Sequence, residues 1–237
     1  ELAAAWPATS TRGNILARHG LVTVRRRRRR VAPWSQPFHH ADSPNAVWCA
    51  DFKGWVRTAD GSRCDPLTVS DAYSRMLLCC QIVPKTDYSH VRTVFEQVFQ
   101  EYGLPQAIRT DNGPPFASVG AGGLSPLAAW WVKLGIVPER IRPGHPQENG
   151  RHERMHRTLK LETMRPPAAT AQAQQQRCDA FRLSYNTQRP HQALGQIPPA
   201  TLYAPSPRPY PQRVDDPQYP PFTEVRRVRS NGQIKWC

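Results

Sequence analysis

Asp51 sits inside the apolar run Val47–Trp48–Cys49–Ala50–Asp51–Phe52. An ionised carboxylate on such a strand is costly unless a cation or hydrogen-bond donors face it. Asp111 follows the short segment Ala107–Ile108–Arg109–Thr110. That is the carboxyl end of a strand, where α/β sheets place ligands. Taken singly, Asp51 also fits a salt-bridged structural residue, and Asp111 the start of an Asp-Asn-Gly turn. A third carboxylate has two candidates. Glu148 comes 36 intervening residues after Asp111, in a loop, and Glu153 comes 41 after it, in the first turn of a helix capped by Asn149. A rigid element holds a ligand better than a loop, which favours Glu153. Three carboxylates together suit a pair of Mg²⁺ or Mn²⁺ ions about 3.5–4 Å apart, activating an attacking hydroxyl and stabilising the leaving oxygen. Hard oxygen donors without a Cys/His cluster favour these ions over Zn²⁺.

The elements that must position these residues follow from periodicity. Strands are expected at 47–52, 66–69, 76–83, 107–110 and 136–141, with a hairpin turn at Thr58–Ala59–Asp60–Gly61. Val91, Val94, Phe95, Val98 and Phe99 share one face of a helix over 88–102 that Gly103 stops. Further helices are expected at 124–134, 150–164 and 170–186. The order βββαβαβαα predicts an α/β fold, a mixed five-stranded sheet with helices on its faces. Trp130 and Trp131 read as core, Asp71 as a turn residue, and Asn112 as a brace for the Asp111 loop. On the helix after Gly150, Glu153, His156, Arg157 and Lys160 share a face, so one end can hold metal while the rest grips phosphate.

Composition narrows the partner. The chain carries 32 Lys+Arg against 18 Asp+Glu, a net charge of +14, and 27 of the cations are Arg. Arginine suits bidentate phosphate contacts, so nucleic acid is the first expectation and an acidic membrane surface the second. The longest apolar stretches, Met76 to Cys80 and Leu127 to Val132, are too short to span a bilayer. No phosphate-binding loop motif is present, and Gly120 to Gly123 reads as a flexible loop, so no nucleotide cofactor is expected. Cysteines 49, 64, 79, 80, 178 and 237 form no C-x-x-C pair, which fits a reducing cytoplasm. The chain begins at Glu1, and its first methionine is Met76, as expected of a piece of something longer.

Both ends are set apart from the middle. Residues 1–24 read as the tail of a small helical element with Ser10 or Thr11 as cap. Arg25, Arg26, Arg27, Arg28, Arg29 and Arg30 then form an extended basic linker expected to grip DNA backbone. Nine prolines between Pro198 and Pro221 mark a second linker. The stretch from Phe222 to Trp236, with Ser230–Asn231–Gly232–Gln233 as its turn, resembles the start of a small β module.

Four motifs in order carry a family resemblance: Val47–Trp48–Cys49–Ala50–Asp51–Phe52–Lys53; Arg109–Thr110–Asp111–Asn112–Gly113–Pro114–Pro115–Phe116; the run from Gly144 to Lys160; and Tyr185–Asn186 with Arg189–Pro190–His191–Gln192–Ala193–Leu194. The chain resembles bacterial insertion-sequence transposases of the retroviral-integrase (DDE) superfamily over about residues 46–204. This resemblance implies a ribonuclease H-like core that cuts and joins double-stranded DNA at transposon ends and in target DNA, with two Mg²⁺ or Mn²⁺ ions. It implies a homo-oligomer on DNA, a bacterial cytoplasmic, nucleoid-associated location, and a helix-turn-helix region of which residues 1–45 hold the tail and linker. Residues 205–237 would then be a linker and an incomplete β module. In such enzymes the catalytic Glu follows an Asn-Gly pair by three residues, which selects Glu153; Glu148 fits the family's usual shorter interval better, a difference that extra loop around Ser118 to Ser125 absorbs. Arg157 and Lys160 resemble the cations that contact the DNA end. His145 and His152 are expected in packing or surface roles, and Arg189 and His191 at the end of a helix. A nuclease on the same fold and a non-catalytic DNA-binding remnant are the alternatives.

Overall fold

The structure, a computed structural model, describes residues 8–21, 40–118, 124–141, 150–214, 220–226 and 233–234. It divides into two units, Glu1–Ser35 and Gln36–Cys237. The first contributes one described helix, α1 (Thr9–Arg18), which starts ahead of both expected capping residues; Ala8 stands at its N-cap without a side-chain bond.

The second unit is built on a sheet. Its strands are β1 (Val47–Phe52), β2 (Val56–Arg57), β3 (Arg63–Asp71), β4 (Leu77–Val83), β5 (Ala107–Thr110) and β6 (Val137–Arg140). Its helices are α2 (Tyr88–Tyr102), α3 (Pro126–Lys133), α4 (Gly150–Thr163) and α5 (Ala171–Thr187). β1 is central, antiparallel to β3 on one side and parallel to β5 on the other. β4 lies outside β3, and β6 lies outside β5. This is the mixed α/β sheet expected, with one strand more. β2 is the two-residue near arm of the Thr58–Gly61 turn, pairing Val56 with Cys64 and Arg57 with Arg63.

Alternation along β1 and β3 separates two faces. Trp48, Ala50, Leu67 and Val69 point into a cluster with Phe95 and Phe99 of α2 and Trp130 and Trp131 of α3. There Phe95 meets Trp131 edge-on at 5.0 Å, and Trp48 stacks on Phe99 at 5.9 Å. Asp51 lies opposite Thr68 and Cys49 opposite Ser70, so their side chains share the other face. That face carries α4 and α5, packed through Leu77, Cys80, Met155, Leu159, Cys178 and Phe181. Cys79 and Cys80 accordingly enter different clusters.

Capping chemistry sets the helix starts. Asp87 accepts from the His90 amide, Ser125 from Ala128 and Thr170 from Ala173. Ser125, followed by Pro126 at the first helical position, delays α3 by two residues relative to the expected Leu124.

α5 also serves the sheet. Asn186 accepts from the Leu77 amide and donates to its carbonyl, Gln175 bridges the Cys80 carbonyl and Ile82 amide, and Arg182 donates to the Leu78 carbonyl. These side chains stand in for a neighbouring strand along the outer side of β4. At the opposite end, β6 is four residues long and includes Pro138.

The proline-rich stretch is tied to the core over its first part. Tyr203 donates to Asn45, Ser206 donates from its amide to Tyr102, and Arg208 accepts from the Leu104 amide. The Arg208 guanidinium reaches the carbonyls of Pro105, Leu134 and Gly135. Tyr210 lies against Phe99 and Trp130. Among the described residues, no helix is long and apolar enough to cross a membrane.

Candidate active site

Asp51 occupies the penultimate position of β1 on the α4 face, with 21% of its side chain exposed. Its carboxyl is pushed up to about 7. Burial is the largest cause, followed by the charge of Asp111, with Glu153 adding in the same direction. The Phe52 amide and the Lys53 ammonium oppose the rise. All three expected carboxylates therefore share one electrostatic neighbourhood. Among the described residues, no three His, Cys, Asp or Glu side chains close tightly enough to hold an ion as they stand. Glu148 and His145 lie outside the described residues, as do Arg25 to Arg30.

Asp111 follows β5 and accepts from the Gly113 amide at 3.1 Å. A side chain at 113 would come within 3.1 Å of Asp111 Oδ2, so glycine keeps that oxygen clear. Asn112 braces this loop across the sheet rather than within it, donating to the Ile141 carbonyl beyond β6 at 2.8 Å. Upstream, Arg109 pairs with Glu139, which also meets His40 at 2.6 Å.

Glu153 is in the first turn of α4. Along that helix His156, Arg157 and Lys160 join it in lining an open groove of about 390 Å³, together with Lys53, Leu161 and Arg165. Lys53 is pushed below its usual range by burial first and by the Lys160 charge second, while Asp51 acts in the opposite sense. The groove thus sets one acid, Glu153, among the cations Lys53, Arg157, Lys160 and Arg165. Two residues beyond Lys53, Trp55 is exposed and carries Arg57 and Arg63 over its ring at 5.8 and 5.6 Å.

Under the site lies a buried polar cluster. His152 and His156, one turn apart, both meet Thr68 Oγ1 through Nε2, at 2.7 and 2.6 Å. Thr68 donates to the Asp51 carbonyl, and Ser70 Oγ lies 2.9 Å from His152 Nδ1. Burial pushes the His152 imidazole down to about 3, and holds His156 neutral as well, with help from His152 and Lys53.

Several supporting residues have plain structural partners. Asp71 accepts from the amides of Asn45 and Ser74 and from the Ser74 hydroxyl. Arg189 pairs with Glu162 of α4, and His191 packs edge-on against Tyr185. Trp130 and Trp131 are core. Lys53 and Arg165 carry no role in the sequence reading, whereas His152, expected in a packing or surface role, is buried, and His156, expected on one helix face with Glu153, lines the groove beside it. The i, i+4 spacing of His152 and His156 was the available signal for the pair; Lys53 had only its closeness to Asp51.

Two integrase core domain family models match the chain, over residues 41–146 and 134–199. A 184-residue stretch is 31% identical to an uncharacterized protein of insertion element IS476 from Xanthomonas euvesicatoria, covering 77% of this chain and 51% of that protein. A protein of insertion element IS407 from Burkholderia multivorans is 29% identical over 80% of this chain and 67% of its own length. The chain thus spans about half to two thirds of these relatives. Among solved structures, the catalytic core of HTLV-2 integrase in complex with magnesium matches 68% of this chain and 98% of its own, with a TM-score of 0.54 and 16% identity. A chain of a simian T-cell lymphotropic virus intasome matches 82% of this chain and 68% of its own, with a TM-score of 0.58 and 17% identity. Those likenesses give the fold as that of retroviral integrase cores, ribonuclease H-like. With the two models together spanning residues 41–199, the chain belongs to the integrase core domain family.

Proposed function

We propose that this protein is a DNA transposase that cleaves and joins strands at transposon ends, with Asp51, Asp111 and Glu153 as its catalytic and metal-binding carboxylates. The observation that carries the reading is the buried Asp51, pushed up to about 7 by burial first and then by Asp111 and Glu153, beside a groove that Glu153 lines together with Lys53, Arg157, Lys160 and Arg165. Hard-oxygen donors in one electrostatic neighbourhood fit Mg²⁺ or Mn²⁺. Such ions, when bound, polarise phosphate and activate the attacking hydroxyl, water first and a DNA 3′-hydroxyl next.

The chain's own groups do the positioning. Glycine at 113 leaves Asp111 Oδ2 clear, and the Asn112 bond to Ile141 fixes that loop against the sheet. Arg157 and Lys160 hold phosphates of the DNA end along α4, and Lys53 meets the same strand from the β1 side. Arg25, Arg26, Arg27, Arg28, Arg29 and Arg30 add backbone contacts that carry no sequence information. Synapsis of two ends implies at least a dimer on DNA, in the bacterial cytoplasm. The two alternatives, a hybrid-cutting nuclease and a DNA-binding remnant, have no observation in their favour.

The deciding experiment supplies the protein with Mg²⁺ or Mn²⁺ and DNA bearing the element's terminal repeats. Metal-dependent nicking and joining is expected, lost in Asp51→Asn, Asp111→Asn and Glu153→Gln with folding intact. Full activity in all three variants overturns the assignment, and cleavage confined to RNA–DNA hybrids overturns the substrate.

A further inference from the structure

A single apolar side chain on a protein surface needs no explanation by itself. Trp55 is set apart by its surroundings. Trp48, Trp130 and Trp131 are buried, whereas Trp55 keeps 57% of its surface exposed. Gly54, at φ +84°, turns the chain from Lys53 toward β2 in a conformation open to glycine. Val56 then packs inward against the α4–α5 cluster, opposite the buried Cys64. Its two neighbours, Trp55 and Arg57, therefore project from the other face of the hairpin, and Arg63 joins them as the register partner of Arg57.

Both arginines are held in place. The Arg57 guanidinium donates to the Gly61 carbonyl at 3.0 Å, and Arg63 makes a forked pair with Asp65 at 2.7 and 2.9 Å. Their guanidinium carbons lie 5.8 and 5.6 Å from the centre of the Trp55 ring, within cation–π range. Two anchored cations thus restrain an indole that still faces solvent. A partner suited to this surface offers a flat apolar face with negative charge beside it. An unpaired nucleotide supplies both, through its base and its phosphates. Within a duplex, stacked neighbours cover the faces of the bases.

Trp55 is also close to the carboxylates. It comes four residues after Asp51, so the two Cα atoms lie within about 14 Å, the length of roughly four stacked nucleotides. Lys53, midway between them in sequence, lines the groove with Arg157 and Lys160. A strand held in that groove is within reach of the indole.

We propose that Trp55, held by Arg57 and Arg63, is a stacking platform for an unpaired DNA base within about four nucleotides of the phosphate at Asp51, so that the protein favours frayed DNA ends over fully paired ones. The inference rests on the DNA reading above and adds a preference for separated strands to it. Trp55 contributes contact area, and Arg57 contributes charge to the adjoining phosphate.

The full chain, kept free of divalent metal so that no strand is cut, is titrated by fluorescence anisotropy with two labelled duplexes of the same length. One is fully paired, and the other carries mismatches over the four pairs at one end. The wild type should bind the frayed duplex about fivefold tighter or more, the worth of one stacked base. Trp55→Ala should remove most of that preference, and Trp55→Tyr should retain it, with circular dichroism confirming the fold of each. Neither variant loses a charge, so the salt dependence of binding should stay as it is, whereas Arg57→Gln should lower its slope by about one. Abasic sugars placed singly through the frayed strand locate the contact and need no variant: one position should weaken wild-type binding and leave Trp55→Ala unaffected. Preference retained in folded Trp55→Ala, or a wild type insensitive to every abasic position, overturns the inference. Equal wild-type affinity for the two duplexes also overturns it and leaves the transposase reading standing. Absence of any DNA binding removes both.

Discussion

The two faces of the central sheet are built from the same strands and follow opposite rules. On the α2–α3 face, Trp48, Phe95, Phe99, Trp130 and Trp131 interlock in an aromatic cluster, and Arg92 lies over the Trp130 ring at 5.0 Å. On the α4–α5 face, apolar packing through Leu77, Met155 and Leu159 gives way, toward the end of β1, to Thr68, Ser70, His152, His156 and Asp51. The first face holds β1 rigid. The second uses that rigidity, because a carboxylate is kept near neutrality only where its strand cannot move away from the groups that raise it. Stability and chemistry are therefore divided across a sheet one residue thick.

Breaking each face in turn should give different signatures. The largest effect is expected for Asp51→Asn: strand transfer should fall by at least about 10³-fold while the protein stays folded, as checked by a plasmid joining assay beside circular dichroism. Trp131→Ala on the dry face should do the reverse. It should lose about 3–5 kcal/mol in urea unfolding, with near-normal activity per folded molecule. Thr68→Val keeps the shape of its side chain but takes the hydroxyl partner from two buried imidazole nitrogens. It should lose about 1–3 kcal/mol for each group left unpaired and should also depress turnover, crossing the boundary between the two behaviours.

A pH series sharpens the contrast. Between about pH 4.5 and 6, the unfolded chain binds protons on His152 and His156, whereas the folded chain keeps both neutral and protonates Asp51 instead. Two protons on the unfolded side against one on the folded side make stability rise with pH, by about 1.4 kcal/mol per unit from these groups. Asp51→Asn removes the opposing proton and should double that contribution to the slope, measured by denaturant unfolding without metal. The smallest effects belong to the groove wall. Arg157→Gln and Lys160→Gln should each reduce the salt dependence of DNA binding by about one unit of slope.

Much of the architecture was legible because its signals are local. Val91, Val94, Phe95, Val98 and Phe99 announce α2 by period alone, and they are its buried face. Asp51 stands out because an acid interrupts an apolar strand. The bond from Asn112 to Ile141, the approach of Lys53 to Lys160, and the convergence of two histidines on Thr68 join segments about 30 to 110 residues apart. No periodicity encodes such meetings. The same holds for Arg208, whose three carbonyl partners lie some 70 to 100 residues upstream, so proline content alone suggests a free linker where the chain is fastened.

The bonds from α5 to the outer side of β4 carry a last consequence. A strand edge left open is a template for pairing with any other extended chain. Here Asn186, Gln175 and Arg182 occupy that template with side chains, which cannot propagate a ladder, and the far edge is blunted by the brevity of β6 and by Pro138. The sheet is thus guarded along both of these edges against fibrous growth.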